Sequence, residues 1–205
     1  MILIFYVIFT FMVWLTMVIP LVGIFFLFGM TGYITKYLMR VVNSSAGGDP
    51  MPPDFPPWHG LWDSCLAPFF QIAMLIIICL GPAGGLIVAG APDIAIILAT
   101  IGGLFIIPMC FLGLATAQSV FGIRPLRALI AIAKAPGQYF VALIVLAIAI
   151  VVSEVLTVRL ADTAGLFGQL GATFLSLYFL MVKARVLGLL YFTNRDRFAW
   201  YGEDL

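Results

Sequence analysis

Charged side chains are scarce: only 9% of the 205 residues are Asp, Glu, Lys or Arg, where soluble domains carry roughly 25%. With 64% of residues hydrophobic and a mean hydropathy of +1.19, no water-soluble core could hide the apolar side chains, so the sequence reads as an integral membrane protein. The net charge of +1 leaves no basic face for a nucleic-acid duplex. Histidine is almost absent too, and His59 alone, in a loop, excludes a haem held by two histidines or a histidine-ligated chlorophyll within the membrane. The three cysteines, Cys65, Cys79 and Cys110, have no C-x-x-C spacing and an odd count, so neither a disulfide framework nor a zinc site is indicated. Phosphate-loop, zinc-helix and nucleophile-turn motifs are missing. No converging set of nucleophile, base and metal ligands can be assembled, and the sequence predicts no catalytic residue, cofactor or metal. Met1 to Thr35 carry no charge, hence no basic start of a cleavable signal peptide; they are read as retained structure.

What is present is long apolar runs. A bilayer core of about 30 Å takes roughly 20 helical residues, and four such runs follow the first third of the chain: about Leu66 to Gly90, Ile94 to Gln118, Gln138 to Val158, and Leu166 to Val186. Turn residues separate them. The first 35 residues would extend about 52 Å as one helix, so they form either one tilted span or two shorter helices bent at Pro20 and Gly23, the latter favoured. The expected fold is all-α: a polytopic transmembrane helix bundle of five to six membrane helices with short interfacial amphipathic helices, in one integral membrane domain over 1–205. Within it, 1–42 is a hydrophobic helix or hairpin and 43–65 a cytoplasmic proline-rich linker. Residues 66–192 hold four spans with an interfacial helix at 124–135, and 193–205 is a cytoplasmic tail.

Basic residues set the orientation, because they concentrate on the cytoplasmic side of bacterial membranes. Nine of the ten lie in three regions that alternating spans bring to one side, leaving only Arg159 opposite. The predicted setting is the bacterial inner membrane, with the C-terminus cytoplasmic.

Several segments could carry function. In RPLRALIAIAK, Leu126, Leu129, Ile130 and Ala133 recur at helical spacing while Arg124, Arg127 and Lys134 gather elsewhere. Such a helix lies in the interface, and the three basic residues are candidate contacts for anionic phospholipid headgroups, or a connector that only fixes topology. Glu154 is the one acid inside a predicted span and, with Gln118, a candidate intramembrane polar group; it lies near the outer end of its helix, within reach of Arg159 or Gln169. DPMPPDFPPWHGLWD, Asp49 to Asp63, packs five of the twelve prolines, two of the four tryptophans and the only histidine into one stretch. Its prolines hold it extended, making it a stiff interfacial collar in which Pro53, Phe55, Trp58 and Trp62 are candidate partner contacts.

Two stretches carry a resemblance. FFLFGMTGYITKYLMRVV, with Gly32, Tyr33, Lys36 and Arg40, precedes a linker containing Pro53, Asp54 and Trp58; FLSLYFLMVKARVLGLLYFTNRDRFAWY contains Ala184 to Tyr191. Together they resemble a family of bacterial and archaeal polytopic membrane proteins known only as a domain of unknown function. The layout is also similar to the membrane domain attached to some glycerophosphodiester phosphodiesterases, whose phosphodiesterase residues are not seen here. The sequence departs from the family where PPWHGLW replaces an acidic run. The resemblance implies a fold and a bacterial inner-membrane setting, and no mechanism.

Three functions compete. The first is a non-enzymatic accessory or scaffolding subunit that packs against other membrane proteins. The second, a small transporter or lipid-handling protein, draws on the helix-breaking Pro20, Pro82 and Pro108 and predicts a polar cavity near Pro108, Thr116, Gln118 and Glu154. The third, an enzyme acting on lipid headgroups, would have to use Asp49, Asp54, His59 or Asp63.

Overall fold

The computed structural model describes residues 20–119, 123–163 and 165–198, which are mostly helical with no strand among them. In order they form α1 (Pro20–Ala46), a single π-helical turn (Trp62–Leu66) that leads directly into α2 (Ala67–Val88), α3 (Asp93–Ala117), α4 (Pro125–Lys134), α5 (Pro136–Thr163) and α6 (Gly165–Phe198). Four segments, Trp62–Val88, Asp93–Ala117, Pro136–Ala161 and Phe167–Phe198, are long and apolar enough to cross a membrane. They coincide with the four runs read from the sequence. A span over the first 35 residues, and a bend at Pro20, depend on residues 1–19, which lie outside the described part; Gly23 sits within the unbroken α1.

Local chemistry sets the boundaries. The turn between α2 and α3 uses Gly90 at φ +65° and then Pro92, whose extended backbone presents Asp93 as the first residue of α3. The extended Arg124 precedes Pro125 at the first position of α4, where a missing N–H costs nothing. Ala135 makes the corner into α5, and Gly165, at φ +54°, opens α6.

Pro82 and Pro108 lie inside α2 and α3 without ending them. One turn before Pro108, the Phe105 carbonyl accepts a hydrogen bond from the buried Tyr139 hydroxyl of α5. The two rings meet edge to face at 5.2 Å. The contact gives the buried phenol a partner that lipid could not supply.

The core is densest at one end of the bundle. There Met39 and Val42 of α1, Met109, Leu112 and Leu114 of α3, Tyr139 of α5, and Leu187 and Tyr191 of α6 are buried together. Close helix approach makes this possible: a Cβ on Gly188 of α6 would stand 2.6 Å from the Val42 carbonyl oxygen, and one on Gly103 of α3 would stand 2.4 Å from that of Cys79. Toward the other end the helices are largely uncovered, as at Val88, Ile94 and Val151.

α6 continues past residue 192 to Phe198, with a kink at Asn194. The Asn194 side chain is buried and donates to the Leu190 carbonyl at 3.0 Å, and Phe198 beyond the kink is buried rather than exposed.

Candidate functional site

α1 ends in a polar face. Tyr33, Lys36, Tyr37, Arg40 and Ser44 fall at positions i, i+3, i+4, i+7 and i+11, one side of a helix that turns about 100° per residue. Against this face lies the irregular segment 47–61, the central part of the stretch 43–65 read as linker. Its five prolines offer no N–H groups, so it cannot make a regular ladder, and its carbonyls need outside donors. The α1 face supplies them. The Tyr33 hydroxyl donates to the Pro56 carbonyl at 3.1 Å and Arg40 Nη1 to that of Asp54 at 3.3 Å, while Lys36 Nζ donates to the Asp63 carbonyl of the adjoining π-helical turn at 2.7 Å. Ser44 Oγ donates to the Asp49 carboxylate at 3.3 Å, and Tyr37 stacks on Phe55 with ring centroids 4.7 Å apart.

The third cation comes from α6. Arg185 of α6 donates through Nη2 to the Pro50 carbonyl at 2.6 Å. This bond ties the segment to the last helix described. Segment 47–61 is therefore a strap held from two sides.

The predicted collar residues divide. Phe55 and Pro53, both in the strap, are half-buried, and Phe55 stacks on Tyr37. Trp58 and Trp62 are 63% and 58% exposed, as tryptophans in a headgroup layer would be. Gly32 lets the π-helical turn approach α1, since a Cβ there would meet the Cys65 carbonyl oxygen at 1.7 Å.

A polar cleft of about 400 Å³ opens beside the strap, within the size range of small-molecule sites. α1 contributes Lys36 and Arg40, the strap His59, the π-helical turn Asp63, α2 Gln71, and the end of α3 Gln118. Gln118 ends α3 in the left-handed conformation at φ 49°, the one non-glycine residue with positive φ among the described residues. The His59 main-chain N–H donates to the buried Ser64 hydroxyl at 3.0 Å, which fixes the strap's exit. Across α1 lies an apolar groove between Tyr33, Tyr37 and Phe55 and the α6 residues Phe174, Leu177 and Met181.

Of the four residues predicted to share a polar cavity, only Gln118 lines this cleft. Thr116 turns its hydroxyl back to the Leu112 and Gly113 carbonyls of its own helix. Pro108 is half-buried, and Glu154 is exposed on α5. The four acid-base candidates of the strap are likewise dispersed: His59 and Asp63 line the cleft, Asp49 pairs with Ser44, and Asp54 contributes its carbonyl to Arg40. No group of three His, Cys, Asp or Glu side chains that could hold a metal ion comes together among the described residues.

α4 has three sides. Ala128, Ala131 and Ala135 dock it on the bundle, while Leu126, at 76% exposure, Leu129 and Ile130 point the opposite way. Arg127 and Lys134 are exposed between these faces, and Arg124 is exposed at the helix start. At the same end, Asn43 donates to the Ala115 carbonyl at 2.9 Å and Arg197 to the Gln138 side-chain oxygen at 3.3 Å. These two hydrogen bonds join α1 to α3 and α6 to α5.

Sequence reading missed the clasp and the part played by Gln71. The spacing of Tyr33, Lys36, Tyr37, Arg40 and Ser44 is the signal that could have found the donor face. No family model, curated protein or solved structure matches the chain.

Proposed function

We propose that the chain is a non-enzymatic accessory subunit that packs against other membrane proteins. In this reading it is a polytopic bundle of five to six membrane helices. The strap, α4 and the C-terminus face the cytoplasm of a bacterial inner membrane, and Arg124, Arg127 and Lys134 meet anionic headgroups. Membership of the bacterial and archaeal family that the sequence resembles is part of the same proposal.

One observation carries it. Gly103 and Gly188 are filled by close helix crossings inside the chain, but a Cβ on Gly81, Gly84 or Gly85 of α2 would meet nothing within 4 Å. Gly81 and Gly85 are four residues apart on one exposed face, the spacing that lets two helix backbones meet in lipid. A second helix seated there would gain the packing that the first two glycines already provide within the chain.

Light scattering on protein purified in mild detergent tests this reading. The wild type is expected to run in an assembly larger than one chain, and G81L/G85L to run as a monomer with unchanged helical circular dichroism. A strictly monomeric wild type with nothing copurifying would overturn it. The polar cleft favours a second reading, a small lipid-handling protein or transporter.

A further inference from the structure

The cleft beside the strap combines two cations with an unusual form of anchorage. Lys36 and Arg40 are each held by a main-chain carbonyl, of Asp63 and Asp54 respectively, and neither forms an ion pair with a carboxylate among the described residues. A carbonyl fixes the position of a cation without cancelling its charge. Lys36 has three N–H donors and uses one; Arg40 has five and uses one. The remaining donors belong to two rigidly placed cations on the rim of one cleft, one helical turn apart on α1.

The rest of the lining fits the same kind of ligand. Gln71 and Gln118 bring side-chain amides to the cleft with no hydrogen-bond partner among the described residues, and each amide offers two N–H donors. His59 adds a titratable donor. Asp63 is the single acid of the lining; its carboxylate is exposed and suits a hydroxyl or ammonium next to an anion better than the anion itself. Exposed Trp58 and Trp62 flank the cleft in sequence and mark headgroup depth.

We propose that this cleft binds a phosphate group, with Lys36 and Arg40 as its charged ligands and Gln71 and Gln118 as neutral donors. An oxyanion with several acceptor oxygens matches a lysine, a guanidinium and two amides converging from three helices. A lipid headgroup and free inorganic phosphate share this chemistry. The site is separate from the basic residues of α4, and it does not depend on a second helix seating on Gly81 and Gly85.

The test uses the full chain in mild detergent, titrated separately with dioctanoyl phosphatidylglycerol, inorganic phosphate and dioctanoylglycerol, with thermal unfolding as the readout. Saturable stabilisation by the phospholipid and none by dioctanoylglycerol is expected. If inorganic phosphate saturates at similar concentration, the ligand is the free anion; if it is at least tenfold weaker, the ligand is a lipid headgroup. Either result supports the site. The K36Q/R40Q variant should weaken binding by tenfold or more, since each cation contributes a charge-assisted hydrogen bond. Because those two residues also hold the strap, Q71L serves as a second variant that leaves the clasp intact, and several-fold weakening is expected. Absence of saturable stabilisation by either phosphate compound, an equal response to dioctanoylglycerol, or unchanged affinity in Q71L would overturn the assignment.

Discussion

Gly188 shows how much one hydrogen atom in place of a methyl group decides. Its α-carbon lies where α6 crosses α1, so near that a Cβ would stand 2.5 Å from that of Ser45 and 2.6 Å from the Val42 carbonyl oxygen. Backbone cannot yield as a flexible side chain can, and overpacking of this kind costs about 1–3 kcal/mol. We expect G188A to lower thermal stability in detergent by that amount. G102A, whose new methyl meets nothing within 4 Å, should leave it unchanged or slightly raised, since alanine favours helix over glycine. Equal melting of the two variants would contradict the close crossing. Neither role was legible from the sequence, where Gly102 and Gly188 are equally plain small residues in apolar runs; only the three-dimensional crossing separates a filled glycine from an open one.

At the scale of elements, the strap and the helices were legible to different degrees. Hydropathy located the four spans because lipid demands uninterrupted apolar length, and periodicity located α4 because its Leu126, Leu129 and Ile130 must leave the face that its alanines bury. The clasp was hidden for a physical reason: its acceptors are backbone carbonyls, which every residue carries, and the donors stand 14 to 135 residues away in sequence. A basic residue near a span end looks the same whether it reaches a headgroup or a carbonyl. The clasp predicts that R185A frees one side of the strap. At about 1 kcal/mol per hydrogen bond lost, the open population rises about fivefold. Limited chymotrypsin digestion, which can cut after Trp58, should accelerate by a similar factor while helical content stays constant. An unchanged cutting rate would mean that Arg185 does not hold the strap.

For the whole molecule, the dense end and the basic end are the same end. Asn43, Arg185 and Arg197 carry hydrogen bonds between segments there, while the opposite end is a sheath of exposed apolar side chains such as Val88 and Ile94. The orientation proposed from basic residues therefore makes a labelling prediction. In intact cells a membrane-impermeant maleimide should modify a cysteine at Asp93, and should reach cysteines at Met51 or Arg195 only after the membrane is opened. The three native cysteines are buried and give a low background. Labelling of Met51→Cys from outside would invert the topology.

The Arg185 contact has a consequence in time. It joins the last helix described to a strap made 135 residues earlier, and α1 packs extensively on that same helix, α6. Synthesis proceeds from the N-terminus at about 5–20 residues per second. For several seconds after the strap appears, then, α1 is inserted without the neighbour that covers it, and Pro50 waits for its donor. The bundle cannot close in order of synthesis; its first described helix is also among the last to find its place.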